Sequence, residues 1–220
     1  MELTRSICSR ELLKSDVLDS SGKKIGHIDD LTFRFDGVLK LSKFIMAGSF
    51  FEELLETIGV RPDKDPVFDA SLIKRIDGEE IHLKTTADEL KTTLDDAAIG
   101  NEEIRWSKLT KMDIFDKNKT KIGNAVDVDF DIDGSTMMIV GGGFIEEKLE
   151  ASGLKADVDI LVPGGIIDSI DQQVILGVSK EKLDKTMQDA LKSKEQQSAK
   201  ASKDVTRDIS KVRLFAQRPY

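Results

Sequence analysis

Asp129-Phe130-Asp131-Ile132-Asp133-Gly134 spells DxDxDG, the opening of a calcium loop, in which carboxylates on alternate positions converge on a hard cation. The twelfth position of such a loop carries a bidentate glutamate, and here it is Val140. The interleaved Val128, Phe130 and Ile132 make the apolar face of a strand, which leaves the carboxylates on a solvated face. Gly141-Gly142-Gly143 precedes a helical segment and could offer backbone amides to a phosphate. A phosphate loop needs Lys-Ser/Thr at the helix start. This helix opens Phe144-Ile145-Glu146-Glu147, whose carboxylates repel phosphate, so the triplet reads as a tight strand-to-helix turn. His27 and His82 are the only histidines, too few for a nucleophile–base–acid set. Cys8, the single cysteine, has no neighbouring base and reads as inert. It excludes an internal disulfide and a cysteine-based metal cluster. No catalytic residue, metal ligand or cofactor is assigned, and the chain is expected not to be an enzyme.

The elements that would position such groups occur twice. Leu12–Gly37 and Leu109–Gly134 align without gaps, and 11 of 26 positions are identical. After a three-residue shift, Phe50–Gly59 (FFEELLETIG) meets Phe144–Gly153 (FIEEKLEASG). A period of about 90 residues means duplicated domains, because solenoid repeats run to about 20–50. The counterparts of His27 and His82 are Asn124 and Leu176 or its neighbours, so neither histidine is retained across the repeat.

Within each copy, period-two alternation marks strands: Leu31, Phe33 and Phe35 in one, Val126, Val128, Phe130 and Ile132 in the other. Asp36-Gly37 and Asp133-Gly134 close them as hairpin turns. Phe51, Leu54, Leu55 and Ile58 share one helical face, with Ser49 as the cap and Gly59 as the stop. Phe144, Ile145, Leu149 and Gly153 repeat that pattern. A last hairpin, about Ser71–Ile76 and Glu80–Lys84, turns at Asp77-Gly78, and each copy ends in a weak helix, Ala87–Leu94 or Lys180–Leu191. Gly26 and Gly123 suit a positive φ or a close strand approach. The predicted core is Ile25, Leu31, Phe33, Phe35, Ile76 and Ile81, with Ile122, Val128, Phe130, Ile132, Ile170 and Ile175 in the second copy.

The net charge of −8 is unevenly spread. Lys192–Tyr220 carries eight basic and three acidic residues, net +5, which leaves the rest at −13. An acidic body repels nucleic-acid phosphate and anionic lipid, so nucleic acid is not an expected partner. No apolar run reaches the roughly 20 residues that cross a bilayer, and direct membrane insertion is not expected. The N-terminus lacks a signal-peptide core, which predicts a cytoplasmic protein.

Lys192–Asp204 is almost free of apolar residues and reads as a flexible or marginally helical spacer. Beyond it, Val205, Ile209 and Val212 recur at helical spacing, followed by Arg213, Leu214, Phe215, Arg218 and Tyr220. These residues predict a linear partner-binding element that orders on its partner. Weak lipid contact is the runner-up, and the plain structural reading is that the tail docks back onto the chain's own barrels.

Asp19–Gly26 (DSSGKKIG) followed by Leu31–Gly37, and Asp116–Gly123 followed by Val128–Gly134, resemble the DxxGxxIG pattern of the PRC-barrel family, with Lys119 in place of the first glycine. The resemblance covers both copies and leaves the tail aside. It implies small, mostly antiparallel β-barrels that bind proteins. It is nearest to archaeal proteins of the cell-division machinery, which work with a tubulin-like GTPase and its membrane anchor. The implied partners are therefore a division-site membrane anchor protein or another PRC-barrel protein, or a second copy of the chain. The implied site is the inner membrane surface at the division plane, reached through those partners. The alternative is a ribosome-maturation factor of the RimM type, which carries a separate N-terminal barrel. The expected architecture is mainly β: two tandem small PRC-type β-barrels at residues 8–96 and 104–191, a linker at 97–103, short helices, and a basic C-terminal tail at 192–220.

Overall fold

The alternating segments of the sequence become the strands of two sheets with one shared topology. In the computed structural model the described residues are 2–3, 5–47, 66–90, 98–131, 135–151, 159–200 and 211–215. The helix expected over Phe50–Gly59 with its cap Ser49, Gly153, Ile132 and the Asp133-Gly134 turn lie outside them, as do Val205, Ile209, Arg218 and Tyr220. The chain divides into two compact units, Met1–Leu109 with Phe130–Ser135, and Thr110–Asp129 with Thr136–Tyr220.

Unit 1 holds β1 (Glu2–Leu3), β2 (Ile7–Cys8), β3 (Asp16–Leu18), β4 (Lys24–Phe35), β5 (Leu39–Ala47), β6 (Val67–Asp69), β7 (Ile73–Asp77), β8 (Glu80–Leu83) and β9 (Glu103–Arg105). Its short helices are α1 (Ser9–Leu12), α2 (Ala87–Leu90) and α3 (Trp106–Leu109). The strand order is β1-β7-β8-β3-β4-β5-β6, with β9 laid on β4. Unit 2 holds β10 (Asp113–Phe115), β11 (Lys121–Phe130), β12 (Thr136–Gly141), β13 (Asp159–Pro163), β14 (Ile167–Ile170), β15 (Val174–Leu176) and β16 (Lys211–Arg213). Its helices are α4 (Gly143–Ala151) and α5 (Lys180–Lys200), and its order is β14-β15-β10-β11-β12-β13-β16. In each unit the first and last strands of the six-strand repeat are consecutive in the chain. A three-residue 3-10 turn joins them, Ala70–Leu72 between β6 and β7 and Gly164–Ile166 between β13 and β14. So short a link forces the sheet to curl until its ends nearly meet, which is the geometry of a small barrel.

The predicted core holds at Ile25, Leu31, Phe33, Ile76 and Ile81, and at Ile122, Val128 and Phe130, all buried. Phe130, expected in the second copy's core, is the last residue of β11 and falls instead in unit 1, where its ring stacks on Phe33 with centroids 6.1 Å apart. Three predicted core residues are only half-buried: Phe35, Ile170 and Ile175. Phe35 sits beside the turn at the open tip of β4. Ile175 has a sharper cause. Val17 pairs with Ile81, and its repeat counterpart Ile114 pairs with Val174. The β14–β15 hairpin is thus one residue shorter than β7–β8, and a one-residue slip turns each side chain to the other face. Val174 and Leu176 take the interior, and Ile175 falls where His82 points in unit 1.

Val126 breaks the expected alternation in the same way. It is exposed, while Ala125 and Val128 are buried. In unit 1 the pairing of β4 with β5 slips between Ile28 and Asp30, so Asp29 is an extra, outward residue. Val126 is its repeat counterpart.

The last helix runs past Leu191 to Lys200, into the segment expected as a flexible or marginally helical spacer. Residues 192–200 (KSKEQQSAK) contain neither Gly nor Pro and are mostly good helix formers, so the helix propagates without an apolar face. The β9 segment also sits unexpectedly. The expected boundaries put Glu103 at the end of the linker and Ile104 and Arg105 in the second domain, yet the segment pairs antiparallel with β4, Phe33 opposite Ile104, and belongs to unit 1.

Candidate partner-binding site

Asp19 and Asp116 open the repeated DxxGxxIG segments, and both act as structural ties. Asp19 Oδ1 accepts from the Ser21 amide (2.8 Å), the Ser21 hydroxyl (2.6 Å) and the Lys23 amide (3.0 Å), while Oδ2 accepts from the Ala87 amide at the start of α2 (3.3 Å). Asp116 Oδ1 accepts from the amides of Asn118 (2.9 Å) and Thr120 (2.7 Å), and Oδ2 from that of Lys180 at the start of α5 (2.8 Å). The Ser21 hydroxyl holds the Asp19 carboxyl below the ordinary range against its burial, aided by the amides. Burial pushes Asp116 up, and the amides of Thr120, Lys180 and Asn118 outweigh it, so its carboxyl also stays low. One carboxylate per repeat therefore fastens a turn to a helix start.

The other motifs resolve likewise. Gly142 and Gly143 have φ of +69° and +51° and make the strand-to-helix turn. Gly123 is a close approach rather than a positive φ, since an added Cβ would lie 2.4 Å from the Gly141 carbonyl oxygen. His82 Nε2 lies 3.2 Å from a Glu80 carboxylate oxygen and 3.2 Å from an Arg75 guanidinium nitrogen. Cys8 is buried, and its amide donates to Glu11 Oε1 at 3.0 Å.

The acidic strand corrects the sequence reading most clearly, for Asp127 and Asp129 are buried rather than solvated. Asp127 Oδ1 accepts the adjacent Val128 amide at 2.8 Å. Asp129 meets the ammonium of Lys211 at 2.5 Å, with no exposure of its side chain. Asp131, in unit 1, accepts the Ser6 hydroxyl at 2.9 Å. Among the described residues no group of three potential ligands is placed to hold a metal ion.

Lys211 belongs to β16, which brings the tail to the centre of the site. β16 runs parallel to β13: Lys211 faces Asp159, Val212 faces Ile160, and Arg213 faces Leu161. The Leu214 amide continues the ladder to the Leu161 carbonyl at 2.9 Å. Val212 is 4% exposed and Leu214 is fully buried, so they alternate inward while Arg213 points out. Phe215, at φ +55°, ends the strand half-buried, and the Lys182 ammonium of α5 lies 6.0 Å from its ring centre.

Four of the sequence-predicted partner-binding residues, Val212, Arg213, Leu214 and Phe215, are thus brought together against β13 and α5 within unit 2. The alternative reading, self-docking, describes 211–215. The signal for it was the apolar period of two over Val212 and Leu214, which the helical spacing from Val205 obscured. Lys211 and Asp129 were not paired by the sequence, since 82 residues separate them.

The two units differ in where a further strand is added. In unit 1, β1 lies parallel on β7, Glu2 opposite Arg75 and Leu3 opposite Ile76. In unit 2, β16 lies on β13. Thr32 is the repeat counterpart of Asp129, and its hydroxyl accepts the Lys43 amide at 3.1 Å. A buried carboxylate to receive Lys211 is therefore a property of unit 2. No described helix is long and apolar enough to cross a membrane.

Comparison with known protein families and with curated proteins gives no match. Among solved structures the chain is similar to a putative 16S ribosomal RNA processing protein, RimM, from Pseudomonas aeruginosa. The TM-score is 0.26 at 14% identity, over 69% of this chain and 79% of that one.

Proposed function

We propose that this chain is a non-enzymatic adaptor that binds protein partners through strand addition at the seams of its two barrels. The observation that carries this reading is that a linear segment from outside the repeat, β16, is seated on β13 with its own apolar and ionic contacts. A sheet edge that takes one extended segment supplies main-chain hydrogen bonds for affinity and alternate side-chain sites for specificity. The addition of β1 to β7 supports the same reading in unit 1. The motif carboxylates Asp19 and Asp116 are occupied by amides of the fold, and that supports a structural role for them.

The finer reading places the adaptor among PRC-barrel proteins of an archaeal division machinery, recruited to the inner membrane surface through a partner. It rests on the resemblance of the paired DxxGxxIG segments. The RimM-type alternative predicts basic surfaces for RNA, and the acidic body, net −13 outside the tail, speaks against it.

Affinity purification of tagged full-length protein from its native cells, under crosslinking, tests the adaptor reading. A protein partner recovered in stoichiometric amount, with no RNA, supports it. Recovery of the chain alone, or with ribosomal RNA, overturns it.

A further inference from the structure

We infer that the outer edge of β13, together with Asp129 beneath it, is a binding site for an extended protein segment of pattern Lys–apolar–any–apolar running parallel to β13. The chain's own Lys211–Leu214 is its resident ligand, and the occupant for which it is built is such a segment of a partner protein. Three features define the site. Asp129 is fully buried and takes a cation at 2.5 Å, so the first position favours a lysine. Val212 and Leu214 are buried, so the second and fourth positions are apolar. Arg213 is exposed, so the third position is free to vary.

The lysine is the specificity element. Its side chain is largely covered, 17% exposed, so an apolar or acidic residue there would remove a cation from beside a fully buried carboxylate. The same feature excludes the corresponding edge of unit 1, β6, as a second site for this lysine pattern, because Thr32 stands where Asp129 does. The apolar pair gives the rest of the contact, and the parallel register fixes its direction.

A tethered ligand competes at an effective concentration on the order of millimolar. A second copy of the chain would exchange identical contacts and gain nothing over the tethered one, so at micromolar protein the tail stays on its own barrel. A partner segment gains by carrying better apolar residues or contacts beyond the four positions. The tail is then a built-in competitor that sets the threshold for binding. This inference rests on the adaptor reading only for the existence of a partner.

The test uses the full chain with Val212→Asp and Leu214→Asp, which removes the resident strand's apolar contacts and leaves both repeats intact. A fluorescent peptide of residues 209–216 is titrated by anisotropy. It should bind this variant at least tenfold more tightly than the wild-type chain. The peptide with Glu in place of Lys211 should lose at least tenfold, and Asp129→Asn in the opened variant should erase that difference. Absence of binding to the opened variant, with its strand content unchanged by circular dichroism, overturns the site. Binding indifferent to the lysine overturns its specificity. Sedimentation of the wild-type chain supplies the last arm. A dimer at micromolar concentration that Leu214→Asp dissociates would make a second copy the occupant and overturn the assignment to a partner. Failure of the peptide beside recovery of a partner by crosslinking would sink the site and leave the adaptor reading standing.

Discussion

Lys119 stands at φ +64° where its repeat counterpart Gly22 stands at +83°, so a lysine holds in the second copy the left-handed turn that a glycine holds in the first. In both, the backbone amide at this position donates to the carbonyl of the motif aspartate at 2.9 Å. A side chain in the left-handed region costs about 1–2 kcal/mol, offset in part by the smaller entropy loss of a non-glycine residue. Lys119→Gly should therefore raise stability by about 0.5–1 kcal/mol, and Gly22→Ala should lower it by about 1 kcal/mol. Urea midpoints check both. A Lys119→Gly protein less stable than wild type would show that the lysine side chain makes a contact worth more than the strain.

Asp19→Asn and Asp116→Asn should each cost about 1–3 kcal/mol at neutral pH, because one carboxylate oxygen becomes a donor facing a backbone amide. The effect depends on pH with a fixed sign. Both carboxyls lie lower in the folded state than the ordinary value of about 4. Their contribution is fully present above that value and is lost as pH falls through it toward the folded values. The wild-type melting temperature should drop in acid, and the gap between wild type and either asparagine variant should narrow from pH 7 to pH 3. A gap that is constant over this range would show that neither carboxylate is the titrating group.

Gly123→Ala places a methyl group 2.4 Å from the Gly141 carbonyl oxygen and 2.9 Å from that of Gly142. Both obstacles are backbone, so β11 or the triple-glycine turn must move, at about 3 kcal/mol or more. Gly165 has nothing within 4 Å of an added Cβ, and Gly165→Ala should change stability by less than about 1 kcal/mol. Thermal unfolding of the two variants side by side gives the comparison.

Phe33 is fully buried and its ring stacks on Phe130 at an interplanar angle of 8°. Phe33→Ala should cost about 3–5 kcal/mol. A double-mutant cycle with Phe130→Ala should return a coupling of about 0.5–1.5 kcal/mol. Additive losses would mean that the rings share a core without an interaction of their own.

The repeat, its strands and most of its interior were legible in the sequence because burial of one sheet face imposes a period of two and duplication states it twice. The misses come from events that leave little trace in residue type. The residue deleted between Ile170 and Val174 moves Ile175 outward without altering its apolar character. The extra residue at Asp29 and Val126 resets the period, and only a charged copy beside an apolar one hints at it. The tail was read at helical spacing because Val205, Ile209 and Val212 fit one. The strand formed by Lys211–Arg213 is set by an edge more than 50 residues earlier in the chain, which no local pattern reports. Buried Asp129 looked solvated for the same reason, since its partner is remote.

Asp30 of the first repeat takes the Leu31 amide of its own repeat at 2.8 Å and two donors from the second, the Ser107 amide at 3.2 Å and hydroxyl at 2.6 Å, beside the strand that Glu103–Arg105 adds to β4. A gene fragment stopped at residue 96 would encode every residue of the first repeat and still be an incomplete protein. It would lack an edge strand and leave a buried carboxylate short of hydrogens. The heritable module and the folding module are offset along this chain by about a dozen residues, so recombination at the repeat boundary would yield halves that need each other.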